Sequence, residues 1–453
     1  MAWPLVAIAM LGAPITGVTF ISVPGMVMTK GWSYLQMCLG FFVGYIVIAA
    51  VLVPIYYRLN IVSVYEFLER RFGTTSQKTG AWLFFVSKIL GVSVRFLVVC
   101  SILQLLVFGP MGIPYTVSVA VSLGLVWLST LRGGVKSVIW GDVLKSVCLL
   151  SAIVLCVVSV MHSTGLTPDE MADLAPTHAT SRIFHFDDPS DGRYFWKQFV
   201  AGIFIVIAMT GLDQDMMQRT LACRNARDAK KNLITGSLLQ TLVIGMLLVL
   251  GTLLVLYMEK IGESLPAAGD SLFATVAFHE GIPMMVGILF IVGLISATYS
   301  SVASAITSMT TTVTIDLLDR IPKENEKRMK RRRQTVHTGI SILMAIFVII
   351  FYYGSSDDAI SIVYTLISYT DGPILGLFAF GLLTRRQVNE RLLPVACIAA
   401  PLAARAIQWA AARYFDYEIG YELLLINACF TYCGLWLLSL RRGVYTVAPT
   451  AEP

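Results

Sequence analysis

The sequence predicts an all-α integral membrane protein, and three features carry that reading. Of 453 residues, 56% are hydrophobic and only 14% are charged, and the mean hydropathy is +0.74, well outside the range of soluble domains. The apolar runs are long enough to cross a bilayer as helices, which takes about 20 residues each. They are also continuous, without the alternation of transmembrane barrel strands.

Read with a window of about 19 residues, the chain predicts twelve helices, near 3 to 28, 32 to 58, 77 to 108, 114 to 131, 137 to 161, 195 to 218, 232 to 258, 283 to 314, 335 to 353, 357 to 384, 389 to 412 and 421 to 440. Lys and Arg cluster in alternate connections: Arg58, Arg70, Arg71 and Lys78; Arg132 and Lys136; Arg224, Arg227, Lys230 and Lys231; "KENEKRMKRRR" at 323 to 333; Arg385, Arg386 and Arg391; Arg441 and Arg442. The intervening connections carry few cations, so the positive-inside rule puts both termini in the cytoplasm of a multi-pass protein of the inner (plasma) membrane. The net charge of +6 comes largely from these loops and requires no nucleic-acid partner. The longest outer connection, about 162 to 194, is acidic and contains proline, which predicts a folded external loop. The opening "MAWPLVAIAM" has neither the cationic n-region nor the cleavage site of a signal peptide. Cys38, Cys100, Cys148, Cys156, Cys397, Cys429 and Cys433 lie in apolar runs without metal-ligand spacing. They read as small buried hydrophobes, with neither disulfides nor a metal centre expected.

Three of the segments contain helix breakers: "AMLGAPITGVTFISVPGMV" in the first, "AMTGLDQDMMQR" in the sixth and "ISYTDGPILG" in the tenth. A broken helix frees backbone groups at membrane depth, which is tolerated where they line a cavity or bind something. The alternative at any single Pro or Gly is a kinked packing helix. The first and sixth segments would be equivalent in two inverted five-helix repeats, the arrangement by which secondary transporters build a site at the bilayer midplane.

The eighth segment continues from ordinary apolar helix into "LISATYSSVASAITS", residues 294 to 308, crowded with hydroxyls. Ala297, Ser300, Ser301 and Ser304 are spaced three, four and seven apart and share one helix face. Such a cluster suits a small hard cation such as Na+, which accepts neutral oxygens. It equally suits a small-residue helix interface in which the hydroxyls bond back to carbonyls one turn earlier. Two charges fall inside spans. Asp142, in "VIWGDVLKS", needs either an ion or a partner such as Lys145 or Lys136. Arg95, in "KILGVSVRFLVVC", should face the interior, where its planar fork either binds a carboxylate or pairs with an acid such as Asp213. Lys88, seven residues earlier, shares its face and has no assigned role.

Five stretches together resemble the sodium/solute symporter family, which includes sodium-coupled sugar, proline, sialic acid and iodide transporters. They are "TGVTFISVPGMVMTKGWS" at 16 to 33, "VSVYEFLERRFG" at 62 to 73, "RGGVKSVIWGDVLKS" at 132 to 146, "QDMMQR" at 214 to 219, and "SATYSSVASAITSMTTTVTIDLLDR" at 296 to 320. The resemblance implies a LeuT-type fold in one transmembrane domain, 1 to 453. Within it, 1 to 161 form the first inverted repeat and 195 to 384 the second, with peripheral helices and a short cytoplasmic tail over 385 to 453. It implies one Na+ held by the carbonyls of Gly12, Ile15 and Ala297 and the hydroxyls of Ser300 and Ser301. A second sodium, as in the sialic acid branch, would use Asp142, Ser300 and Ser304, but Ala303 replaces an expected serine. The substrate would meet Thr16, Thr19, Tyr34, Cys38 and Arg95. Here Arg95 aligns with the arginine that binds the substrate carboxylate in the sialic acid branch, whereas Pro14 and Cys38 stand at positions that are polar there. Members of the family usually carry one more helix before the broken one, so the start is either truncated or belongs to a branch without it.

The function expected is sodium-coupled symport of a small polar solute by alternating access, with a sugar acid such as sialic acid as one candidate. The alternatives are a neutral solute, or a sodium-independent transporter of the same fold. A membrane enzyme finds no constellation: "FHEGIP" holds His279 and Glu280 but no second His four residues on. A sensor would carry a kinase extension, and the chain ends about a dozen residues after the last segment. The expected partners are the solute, the sodium ion and the bilayer, with a functional monomer.

Overall fold

The structure is a computed structural model that describes residues 16–61, 63–130, 150–163, 165, 178–318, 326–354, 359–415, 417 and 419–440. It is built almost entirely of helices: α1 Gly17–Lys30, α2 Tyr34–Val47, α3 Val53–Leu59, α4 Glu66–Phe72, α5 Thr74–Leu103, α6 Tyr115–Thr130, α7 Leu150–Ser163, α8 Phe195–Val206, α9 Gln214–Leu221, α10 Ala226–Ile261, α11 Leu272–Ala277, α12 Met284–Thr312, α13 Glu326–Gly354, α14 Ala359–Leu383, α15 Leu393–Phe415 and α16 Leu423–Leu437. One two-residue strand pair, Gln387–Val388 with Ser439–Leu440, closes the end of α15 and α16. Seven of the described helical stretches are long and apolar enough to cross a membrane, and the bent pair of α8 and α9 makes an eighth. Leu105, Leu128, Leu238, Ile350 and Leu402 are more than half exposed, as the faces of a bundle that meets lipid must be.

Small residues set how closely the helices approach. A Cβ on Gly40 of α2 would lie 2.2 Å from the Phe199 carbonyl oxygen, and one on Gly202 of α8 would lie 2.4 Å from that of Met37. Backbone contact of this kind replaces the hydrophobic driving force that is absent between helices in lipid. At the start of α1, a Cβ on Gly17 would meet Thr298 Oγ1 at 2.3 Å, which seats that end of α1 against the middle of α12. Phe20, Phe273 and Phe290 pack their rings 4.7 to 5.7 Å apart and lock α1, α11 and α12 together.

One of the three expected interruptions is seen as such; the first falls at the edge of the described residues, and beyond it α1 runs unbroken through Pro24. α1 begins at Gly17 behind Thr16, an extended N-cap that forms a reciprocal capping box with Thr19. The sixth segment bends by 69° between α8 and α9, where Asp213 caps the second half by accepting from Met216 N at 3.1 Å. The tenth segment departs from expectation, because α14 runs unbroken through Pro373. A proline in a helix deprives the carbonyl four residues earlier of its partner. Here that carbonyl, Tyr369, accepts from Asn427 Nδ2 of α16 at 3.0 Å, and Ser368 accepts from the same nitrogen at 2.9 Å. Gly372 leaves the space for it, since a Cβ there would lie 2.5 Å from that nitrogen. A neighbouring helix repairs the break, so the backbone has no reason to open.

The motif "VSVYEFLERRFG" contains α4, which lies outside the predicted spans. Its Arg71 donates to the carbonyls of Gly381, Thr384 and Arg386 at 3.2, 2.8 and 2.9 Å. A cation on the last turn of α14 and on the carbonyls just after it satisfies groups that a helix terminus leaves open.

Candidate functional site

A cavity of about 100 Å³ lies among α1, α2, α5, α8, α10 and α14. It collects four of the five residues expected to meet the substrate: Thr16, Thr19, Tyr34 and Arg95. The fifth, Cys38, is fully buried on the same helix face as Tyr34 but does not line the cavity. The hydroxyls of Thr16 and Thr19 serve the helix cap at 3.3 to 3.4 Å while they line the wall. The hydroxyls of Tyr34 and Tyr364 are 2.9 Å apart. On the opposite flank Tyr45 donates to Gln240 Oε1 at 3.1 Å, beside Thr210. Sequence reasoning missed Tyr364, Tyr45, Gln240 and Thr210, since each is one polar residue in an apolar helix. Two had a signal: Thr210 lies inside the breaker motif of the sixth segment, and Tyr364 lies one turn before that of the tenth.

A second cavity, of about 40 Å³, shares Thr16, Val18, Arg95 and Met216 with the first and also touches Lys88, Asp215 and Ser301. Lys88 and Arg95, seven residues apart on α5, therefore face the same interior. Lys88 Nζ lies 2.8 Å from Asp213 and 3.2 Å from Asp215. Asp215 is also 3.5 Å from Arg219, one turn along α9. Ser304 of α12 donates to Asp215 and accepts from Arg219. Lys88, Asp213, Asp215, Arg219 and Ser304 thus form one network across α5, the bend and α12.

The partition of these charges separates Arg95 from the rest. Lys88 and Arg219 are matched by Asp213 and Asp215. Among the described residues Arg95 makes no ion pair and no hydrogen bond; Asp213 and Asp371 reach it only by longer-range attraction. The expected alternative partner, Asp213, is engaged by Lys88 and by the cap of α9. A guanidinium presents five donors in a fixed fork, and here the fork faces two cavities.

Of the expected sodium ligands, Ala297 is fully buried, and its carbonyl accepts from Ser301 Oγ at 2.9 Å. That brings two of the oxygens together through the back-bond that helix geometry favours. Ser300 is half-buried beside them on α12. Gly12 and Ile15 lie outside the described residues, as does Asp142 of the second candidate sodium site. The remaining member of that site, Ser304, is held by Asp215 and Arg219.

A bundle of helices long and apolar enough to cross a bilayer, with one span bent and a polar cavity beside the bend, is the architecture of an integral membrane solute transporter. The sodium:solute symporter family profile matches residues 1–391, and the chain belongs to that family, whose coupling ion is Na+. The chain is 26% identical over 415 residues to a sodium/sialic acid symporter of Aliivibrio fischeri, with 86% of this chain and 78% of that protein covered. It is 26% identical over 386 residues to a sodium-dependent multivitamin transporter of Oryctolagus cuniculus, with 83% and 59% covered. A solved structure of a Na+-coupled sialic acid symporter, in a substrate-bound outward-open state, superposes with a TM-score of 0.80 at 21% identity, over 96% of this chain and 89% of that one.

Proposed function

We propose that this protein is a Na+-coupled symporter that carries a small organic solute bearing a carboxylate, bound through Arg95. The observation that supports it is the unfilled fork of Arg95 on a cavity wall where the neighbouring lysine and arginine already have acidic partners. A carboxylate fills two of its donors at once. The hydroxyl pair of Tyr34 and Tyr364 adds one more, since one hydroxyl donates to the other and the second keeps its hydrogen free. The sialic acid symporters among the relatives carry a solute with the same group.

In this reading the chain makes twelve crossings as two inverted repeats, 1 to 161 and 195 to 384, with peripheral helices after 385. It works as a monomer in the plasma membrane with both termini cytoplasmic. Na+ binds between the break before α1 and the middle of α12, through Gly12, Ile15, Ala297, Ser300 and Ser301. The close seat of Gly17 on Thr298 supports that apposition.

Competition against labelled uptake in proteoliposomes tests the reading. Carboxylates compete, and Arg95→Lys, which keeps the charge but loses the planar fork, weakens binding by more than about tenfold, or roughly 1.4 kcal/mol. If neutral sugars compete instead and Arg95→Lys transports normally, the solute is neutral.

A further inference from the structure

The lining of the larger cavity goes further than the presence of a carboxylate. Tyr34, Phe41 and Tyr45 are spaced seven and four apart, so α2 turns all three toward the cavity. Eleven residues of helix separate the two tyrosines by about 16 Å along the axis. The cavity is accordingly polar at two ends. At one end stand Arg95, Tyr34 and Tyr364; at the other stand Tyr45, Gln240 and Thr210. Between them the wall is mainly apolar, formed by Val18, Phe41, Ile205, Val206 and Met209 among others; the hydroxyls of Thr16 and Thr19, which also line the cavity, are engaged with each other in the cap of α1.

The far end holds one unspent group. Gln240 uses one polar atom of its amide for Tyr45, and among the described residues its other polar atom has no protein partner. Whichever way the amide is turned, one hydrogen-bonding site remains for a ligand.

Resting on the carboxylate reading above, we infer that the solute is an elongated monocarboxylate with an apolar middle and one uncharged hydrogen-bonding group, such as an amide, at its distal end. The carboxylate lies on Arg95 and the tyrosine pair, the apolar middle lies along Phe41 and Met209, and the distal group meets Gln240. A polyhydroxylated sugar acid fits this lining poorly, because hydroxyls along its length would face Val18, Phe41 and Ile205. Each hydroxyl stranded without a partner weakens binding by about tenfold.

Binding to the purified protein in lipid nanodiscs, in Na+ buffer, tests this. The probes are the monoamides of adipic and suberic acid, the unsubstituted hexanoate and octanoate, the neutral diamides, and glucuronate and N-acetylneuraminate. At least one monoamide is expected to bind about tenfold more tightly than the plain acid of the same length, and more tightly than either sugar acid. Gln240→Leu should erase the preference of the monoamide over the plain acid. The ranking in the unaltered protein stands even if that variant fails to fold. If the sugar acids bind more tightly than every aliphatic acid, the apolar-middle inference is wrong while the role of Arg95 survives. If the plain acids equal the monoamides, or Gln240→Leu keeps the preference, the distal contact is wrong. If the diamides bind as well as the monoamides, the carboxylate reading itself fails, and if no probe binds, both fall.

Discussion

The ammonium of Lys88 stands 2.8 Å from the carboxylate of Asp213, which ties the middle of α5 to the bend between α8 and α9. Asp213 simultaneously caps α9, so one side chain holds both the charge and the backbone of the half-helix. Any movement of α9 against α5 must either break this pair or carry it along.

Lys88→Met should therefore cost more than a surface charge would. Lys88 and Asp213 expose only 12% and 13% of their side chains, and removing one member of a buried pair costs about 3 to 5 kcal/mol. The expected result is a marked fall in thermal stability in detergent. Asp213→Asn on the same background should recover part of it, because Asn removes the stranded charge and still caps a helix. Equal melting of the single and double variants would argue against the pairing.

Ser301→Ala and Ser300→Ala should each raise the Na+ concentration for half-maximal uptake by about three- to tenfold, the scale of one hydrogen-bonding or coordinating oxygen. Membrane insertion should remain normal, since both side chains are small and only half-buried. Wild-type sodium dependence in both variants would mean that the cation binds elsewhere.

One Na+ is expected to accompany each solute. Ser304, which a second sodium would use, already donates to Asp215 and accepts from Arg219, and Ala303 brings no hydroxyl. With a monocarboxylate, one-to-one coupling moves no net charge, so uptake in proteoliposomes should be insensitive to an imposed potential. A net inward positive charge per carboxylate would require at least two sodium ions.

Asn427→Leu should uncover the carbonyl that Pro373 leaves without a helical partner. The cost expected is about 1 to 3 kcal/mol, that of an unsatisfied buried acceptor. Pro373→Ala restores the backbone N–H and should make Asn427→Leu less damaging. A double-mutant cycle on thermal stability reads this as a coupling between the two positions; strict additivity would show that Asn427 does not serve that carbonyl.

Much of the molecule was legible before folding. The apolar runs and their flanking cations report burial in lipid, which depends on composition over a span and not on contacts. The bend at Asp213 was legible as well, because a Gly beside a capping residue acts locally. The tenth segment was misread on that same local ground: "SYTDGP" carries a breaker, but Asn427 of another helix supplies the missing bond. The gathering of Thr16, Thr19, Tyr34 and Arg95 was anticipated through family likeness, whereas Tyr45, Gln240, Thr210 and Tyr364 were not.

By itself the sequence determined a multi-pass helical protein of the sodium:solute symporters, with hydroxyls on one face of α12 and a lysine and an arginine on one face of α5. Only the tertiary structure decided which of the two cations has acidic partners. Periodicity says which face of a helix turns inward, but not what it meets there. Lys88 and Asp213 are 125 residues apart in the chain, and nothing local to either names the other. Their pairing follows from the 69° bend that delivers Asp213 to α5, and it leaves the fork of Arg95 open toward the cavity.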